Sequence, residues 1–496
     1  MSGPSRRALA ILFAAFVAAL ALRLVTLFVP ERLAQAVALG VLGAATAALA
    51  ALGVVRLPPR AEWHHGLLAL LAVSLVWRDS ETLFALNLLT ILAGLALAAP
   101  HARRPSLARA GVTDYLAAGL ITAAGTLVGM VPLLGSVEWR GLPAGRRLHV
   151  VRGVAVGAIV ATPALALFTG LFRSADPAFD HLAGRVLDVD LGEGARHALF
   201  VAGWTWLVAG FLRTTFAAPA QSAAPWRWTP RRGFAEVGTG LGLVAALFLA
   251  FVLVQVHYLF GGAELVRATA SLTYAEYARR GFFELVMVAA LSVPMLLVAD
   301  WAVDKGDAAG TRRVRWLAGL VVVLLFVILA SALERMRLYT VAYGLTEQRL
   351  YATAFMAWVA VVLGWLVATV LRGRRGRFAA GSAVAAVATL VVLSFANPDA
   401  MIVRVNAARV AEGRAFDADY VKALSLDAAP ALLSALPALP RHDRCALAPT
   451  LERWRASAEG GARWNLAVAA SRPRLRELAS AVEAEGCPAR SAGATR

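Results

Sequence analysis

"WLAGLVVVLLFVILASALERMRLYTVAYGLTEQRLYATAFMAWVAVVLGWLVATVL", residues 316–371, decides how the rest of the chain is read. Two apolar runs, 316–333 and 350–371, flank a polar stretch that carries Glu334, Arg335, Arg337, Tyr339 and Tyr343. Each run has the length an α-helix needs to cross roughly 30 Å of hydrocarbon. Neither alternates polar with apolar as a barrel strand would. Gly344 fits the residue just past a helix C-terminus, and Thr346 fits the start of the next helix. The stretch therefore reads as an antiparallel helical hairpin with a tight polar turn.

The same pattern recurs outward. Apolar blocks lie near 8–29, 33–55, 62–77, 82–99, 112–135, 149–172, 196–216, 234–260, 281–299 and 378–396, besides the two already named. The 496 residues are 59% hydrophobic and only 16% charged, against about a quarter charged in soluble domains. Mean hydropathy is +0.67. The first block follows Arg6 and Arg7 but is longer than a signal-peptide core and has no clear cleavage site after it, so it reads as an uncleaved span.

The formal charge of +18 does not point to nucleic acid. Basic residues, Arg except for Lys305 and Lys422, fall in short links between apolar runs, as membrane insertion favours. "RGRRGR" at 372–377 belongs on the cytoplasmic side by this rule, and alternation brings the links at 300–315 and 213–233 there too. The 173–196 link, with Asp176, Asp180, Asp188, Asp190 and Glu193, then lies outside. The links at 101–111 and 136–148 are both basic, so 112–135 is expected not to cross but to form a re-entrant or interfacial helix. The expected fold is all-α: a polytopic membrane bundle of about 11 spans over 1–396, N-terminus cytoplasmic. A small helical extracytoplasmic domain follows over 397–496.

That C-terminal segment opens on "NPDAMIVRVNAARV", with Asn397 as N-cap and Pro398 in the first turn. Asp417 and Asp427 are read as further caps, and helices are expected over 446–458 and 463–485. The two cysteines, Cys445 and Cys487, are either one disulfide in an oxidising compartment or two free thiols in a reducing one.

Polar chemistry gathers at one expected membrane face. "SLTYAEYARRGFFELV", 271–286, holds a capping box in Thr273 and Glu276. Glu276, Arg280 and Glu284 stand four apart on one helix face, able to form a Glu–Arg–Glu ladder. An unpaired carboxylate at Glu284 would be costly within the bilayer, which makes it the residue hardest to explain by anchoring alone. Glu334, Arg337 and Tyr343 reach the same face, as do Gln255, His257 and Tyr258 from the preceding span. These groups form either a vestibule for a polar ligand or an interfacial belt of Tyr and snorkelling Arg. The sequence holds no phosphate-binding loop, nucleophile elbow, dinucleotide fingerprint or metal-ligand spacing, so no cofactor or metal is expected and enzymatic activity is disfavoured.

"TYAEYARRGFFEL", "ERMRLYTVAYGLTEQRLYATAF", "SADPAF" and "NPDAMIVRVNAAR…ALSLDAAPAL", in that order, resemble the families of domain of unknown function 4153 and 4173 (DUF4153, DUF4173) over roughly 80–435. The resemblance implies a multi-spanning bacterial inner-membrane protein with no assigned reaction. The expected partners are the lipid bilayer and either a small polar ligand or an envelope protein. The function expected is transporter-like or ligand-sensing, with an envelope scaffold acting through the exported C-terminal domain as the alternative. A lipid-linked glycosyltransferase is disfavoured, because its first external link would be only "PER", 30–32.

Overall fold

The computed structural model describes residues 3–28, 31–52, 63–101, 111–137, 168–169, 172–180, 193–217, 232–260, 282–459, 465–484 and 487. These residues are mostly helical, with one isolated bridge between Arg232 and Val303. Among the described residues, seven helices are long and apolar enough to cross a membrane: Pro4–Leu27, Glu193–Phe216, Phe234–Gln255, Glu284–Ala302, Ala308–Tyr343, Glu347–Thr369 and Arg375–Ala396. Val37–Ala51, Glu81–Ala96 and Val112–Val128 are apolar but shorter. Most of the 149–172 block lies outside the described residues.

The chain divides into two compact units, the first built from Met1–Trp63, Leu92–Pro105 and Leu116–Ser222. In it α1 (Gly3–Phe28) packs along both α2 (Glu31–Ala51) and a helix at Glu193–Leu212. Ala8, Ile11, Ala15, Leu49, Leu133, Ala209 and Leu212 form its core. The helix over Val112–Val128 crosses Glu193–Leu212 at glycines, because a Cβ on Gly210 would strike the Thr126 carbonyl and one on Gly129 would meet Gly210 Cα at 3.0 Å. Small residues are what permit backbones this close. Trp206 Nε1 donates to the Leu127 carbonyl at 2.6 Å across the same crossing.

The second unit comprises His64–Ile91, Ser106–Tyr115 and Ala223–Arg496. Its central helix, Ala308–Tyr343, has 36 residues. At 1.5 Å per residue it is about 54 Å long, well beyond the hydrocarbon thickness. Val314, Ala318, Val321, Leu325, Ile328 and Ala332 recur every three or four residues and are buried against Phe234–Phe260, Phe282–Ala302 and Glu347–Thr369. Leu320 and Val323, on the other side, remain exposed apolar surface. Gly344 ends this helix with φ +83°, donating its N–H to the Thr340 carbonyl, and Thr346 is the N-cap position of the next helix.

The chain after Phe378–Ala396 is a set of short helices. Asn397 accepts from the Ala400 N–H and Pro398 begins Pro398–Ala408; Asp417 accepts from the Tyr420 N–H. Asp427 is not a cap. Ser425 caps the turn Leu426–Ala428 and the Asp427 carboxylate points elsewhere. Two longer helices follow at Arg441–Glu459 and Leu466–Ala484. Leu447, Leu451, Trp454 and Ala458 make a buried stripe on the first, and Val468, Leu475 and Leu478 one on the second. The two helices pack together, and Cys445 and Cys487 are joined as a disulfide with Cα atoms 5.3 Å apart. At Ser174–Asp180, Asp176 accepts from the Ala178 N–H.

Candidate functional site

Only some of the site residues expected from sequence fall among the described residues. Glu276 and Arg280 lie outside the described residues, as does the side chain of His257. Glu284 sits in the first turn of Phe282–Ala302 and is exposed. Glu334 and Arg337 form a bidentate pair at 2.7 and 2.8 Å, but on an exposed face. Tyr343 is exposed and meets Tyr339 edge-on. Gln255 is buried and accepts from Ser331 Oγ at 3.1 Å and from Arg335 Nη2 at 2.6 Å. That pairing ties Phe234–Phe260 to the central helix.

Polar convergence occurs instead where two helix turns meet the C-terminal helices. One turn is Gly344–Thr346. Asn406 takes the Leu345 N–H at 2.7 Å and gives its amide to the Leu345 carbonyl at 2.8 Å. Arg409 Nη2 donates to the Val341 and Ala342 carbonyls, covering acceptors a helix end leaves without intrahelical partners. Arg349 lies over the Tyr339 ring at 4.0 Å and donates to the Gly344 carbonyl. Tyr420 accepts the Glu347 N–H at 2.8 Å.

The second turn is Arg78–Asp79–Ser80, between the helices Trp63–Trp77 and Glu81–His101. Asn87 Nδ2 donates to Ser74 Oγ at 2.6 Å across this hairpin. Arg78 Nε donates to the Ser394 carbonyl at 2.6 Å, its guanidinium lies over the Trp77 ring, and Nη1 is 3.7 Å from Asp427 Oδ1. Asp427 Oδ2 accepts the Asp79 N–H at 2.7 Å and the Ser80 N–H at 3.1 Å. Asp79 answers in kind, accepting the Leu426 N–H at 3.2 Å and Asn465 Nδ2 at 3.0 Å. Asn397 Nδ2 donates to the Asp427 carbonyl. Asp399 accepts from the Ser425 N–H at 3.0 Å and also from its hydroxyl.

This is a knot of buried carboxylates: Asp79, Asp399 and Asp427 are 4%, 1% and 3% exposed. Burial disfavours the charged forms of Asp399 and Asp427. It pushes Asp427 up to about 6, although the Asp79 N–H and Arg78 pull the other way. Burial likewise raises Asp399, against the opposing pull of the Ser425 hydrogen bonds.

Beside the knot is a cavity of about 330 Å³. Asp79, Glu81, Glu347, Asp399, Lys422 and Arg453 are among its lining residues, with Trp454. Asp399 Oδ1 has no hydrogen-bond partner among the described residues. No signal in the sequence pairs Asp79 with Asp427, because 348 positions separate them. Asp427 reads there as a cap.

A bundle of long apolar helices with a polar cavity at their turns is the architecture of an α-helical membrane protein. The chain belongs to the family "Domain of unknown function (DUF4153)", whose model matches residues 66–435. Neither a curated protein nor a solved structure matches it. The matched region contains Asp79, Glu347, Asp399 and Asp427, and ends before Arg453, Trp454 and the disulfide.

Proposed function

We propose that this chain is a ligand-sensing protein of the cytoplasmic membrane, with the cavity beside Asp399 as its receptor site. The observation that carries the reading is that cavity. Its volume is at the low end of the roughly 300–1,000 Å³ typical of small-molecule sites, and it is lined by Asp399, whose buried Oδ1 has no partner among the described residues. Its walls come from the turn at 79–82, from Glu347 and from the C-terminal helices. Occupancy would therefore bias how the C-terminal helices seat on the turns. The C-terminal helices are extracytoplasmic in this reading, supported by the disulfide and by the charge pattern of the links.

The test is class-neutral. The full chain and an Ala423→Trp variant, which fills the cavity, are purified in detergent and their bound small molecules compared by mass spectrometry. A compound enriched at least severalfold with the natural chain is expected. Equal small-molecule content in two folded proteins would sink the reading. The alternative, a scaffold acting through residues 441–484, rests on the disulfide-tied helix pair. It predicts instead that deleting 441–496 abolishes function while Ala423→Trp does not.

A further inference from the structure

We infer that the ligand taken by this cavity is a small organic cation carrying a protonated amine, an inference that rests on the receptor reading above. Four carboxylates line the cavity, from Asp79, Glu81, Glu347 and Asp399, and two cationic side chains, Lys422 and Arg453. The two cations are directed to other groups. Lys422 Nζ pairs with Asp419, and Arg453 Nη2 donates to the Lys422 carbonyl. Asp79 is consumed as well, since both its oxygens accept bonds from Leu426 and Asn465.

Asp399 and Glu347 are not used this way. Asp399 spends Oδ2 on Ser425 and leaves Oδ1 without a partner, in a side chain 1% exposed. The carboxylate of Glu347 makes no hydrogen bond or ion pair among the described residues; its backbone N–H alone is engaged, by Tyr420. Like charges gathered in a partly desolvated space repel, and a buried acceptor without a donor is costly. A ligand that supplies positive charge and N–H donors relieves both at once. An anion would add to the repulsion, and a neutral molecule would leave the charge uncompensated.

A metal ion answers the charge but not the geometry. Among the described residues no three His, Cys, Asp or Glu side chains close on one point as a metal site requires. An ammonium needs only two or three acceptors, at about 2.7–2.9 Å in charge-assisted bonds. The volume excludes a lipid or a folded peptide and suits a molecule of a few carbons. Trp454 in the wall offers an aromatic surface beside which a cation is favoured.

The test uses three probes of one carbon skeleton and different charge: 1,4-diaminobutane, 1,4-butanediol and succinate. Each is titrated calorimetrically into the full chain in detergent at pH 7.5. The diamine is expected to bind saturably with one site per chain, and the diol and succinate at least tenfold more weakly. Glu347→Gln should weaken the diamine at least tenfold while leaving the thermal transition in place. Asp399→Asn should do the same, but its contact with Ser425 makes Glu347→Gln the decisive variant. Tighter binding of the diol or succinate, blocked by Ala423→Trp, overturns the cationic class and leaves the cavity a receptor site. Absence of saturable diamine binding overturns the inference, whatever compound co-purifies. Diamine binding unchanged in Glu347→Gln places the amine elsewhere and overturns it too.

Discussion

Removing the Asp427 carboxylate should release the C-terminal helices from the turn at 78–80. Its Oδ2 is the acceptor for two N–H groups, those of Asp79 at 2.7 Å and Ser80 at 3.1 Å. Both residues are buried, at 4% and 1% exposure, so Asp427→Ala leaves two donors without partners. Each orphaned buried donor costs about 1–3 kcal/mol, so the pair costs about 2–6 kcal/mol. Arg78 also loses its ion partner but keeps the Ser394 carbonyl. The measurement belongs at pH 5, below the raised pKa of about 6, where the carboxyl is largely neutral and release of a buried charge does not mask the lost hydrogen bonds. Hydrogen exchange of residues 398–484 in detergent reads the local opening free energy directly. Asp417→Ala is the internal standard. Asp417 is an exposed N-cap accepting one bond from Tyr420, worth about 1 kcal/mol. If Asp427→Ala costs no more than Asp417→Ala, the knot does not hold the C-terminal helices down and the argument fails.

Three further outcomes follow from the same contacts. Asp427 has a folded pKa of about 6, above the ~3.9 of an unfolded aspartate, so the native state binds the extra proton between those values. Stability from this group is therefore gained as pH falls from 7 to 4, by up to about 3 kcal/mol. The stability difference between the natural chain and Asp427→Asn should shift by that amount over this window, and a flat difference would refute the assignment. Gly344→Ala should cost about 1–3 kcal/mol, because φ is +83° and the new Cβ would meet Arg409 Nη1 at 2.5 Å and Asn406 Oδ1 at 2.7 Å. Thermal unfolding checks it, and a neutral result would mean the turn is not held as described. The Cys445→Ala/Cys487→Ala double variant should lose about 2–4 kcal/mol from the helix pair, from the loop of 42 residues it opens. Limited proteolysis of the 441–484 region, with and without reductant, reads it; identical cleavage rates would count against a stabilising disulfide.

The helices of the second unit were legible because their signals are local. Gly344, Thr346, Asn397 with Pro398, and Asp417 each mark a boundary through steric or capping chemistry that acts within a few residues, and each stands where that chemistry puts it. Asp427 misleads for the same reason. A carboxylate before a helical run looks like a cap, while its real partners are backbone groups 348 and 347 positions earlier. Glu284 stands in the first turn of its helix, where a negative charge meets the positive end of the helix dipole. The cavity left no trace in the sequence. Glu347 and Asp399 each open a helix, and nothing local distinguishes them from ordinary first-turn acids.

The bond from Asp79 to Asp427 also sets an order of events in biosynthesis. The turn at 78–80 leaves the ribosome early, and the residue that satisfies its two N–H groups is made 348 positions later. At roughly 5–20 residues per second the wait is roughly 20–70 s. Through that interval the first hairpin of the second unit has unclosed donors at its turn, to be served by water or by whatever holds the nascent chain. Asn465, which completes the Asp79 carboxylate, comes later still. The knot is therefore a final-assembly step, and a chain truncated before residue 427 cannot close it, however well its apolar helices have inserted.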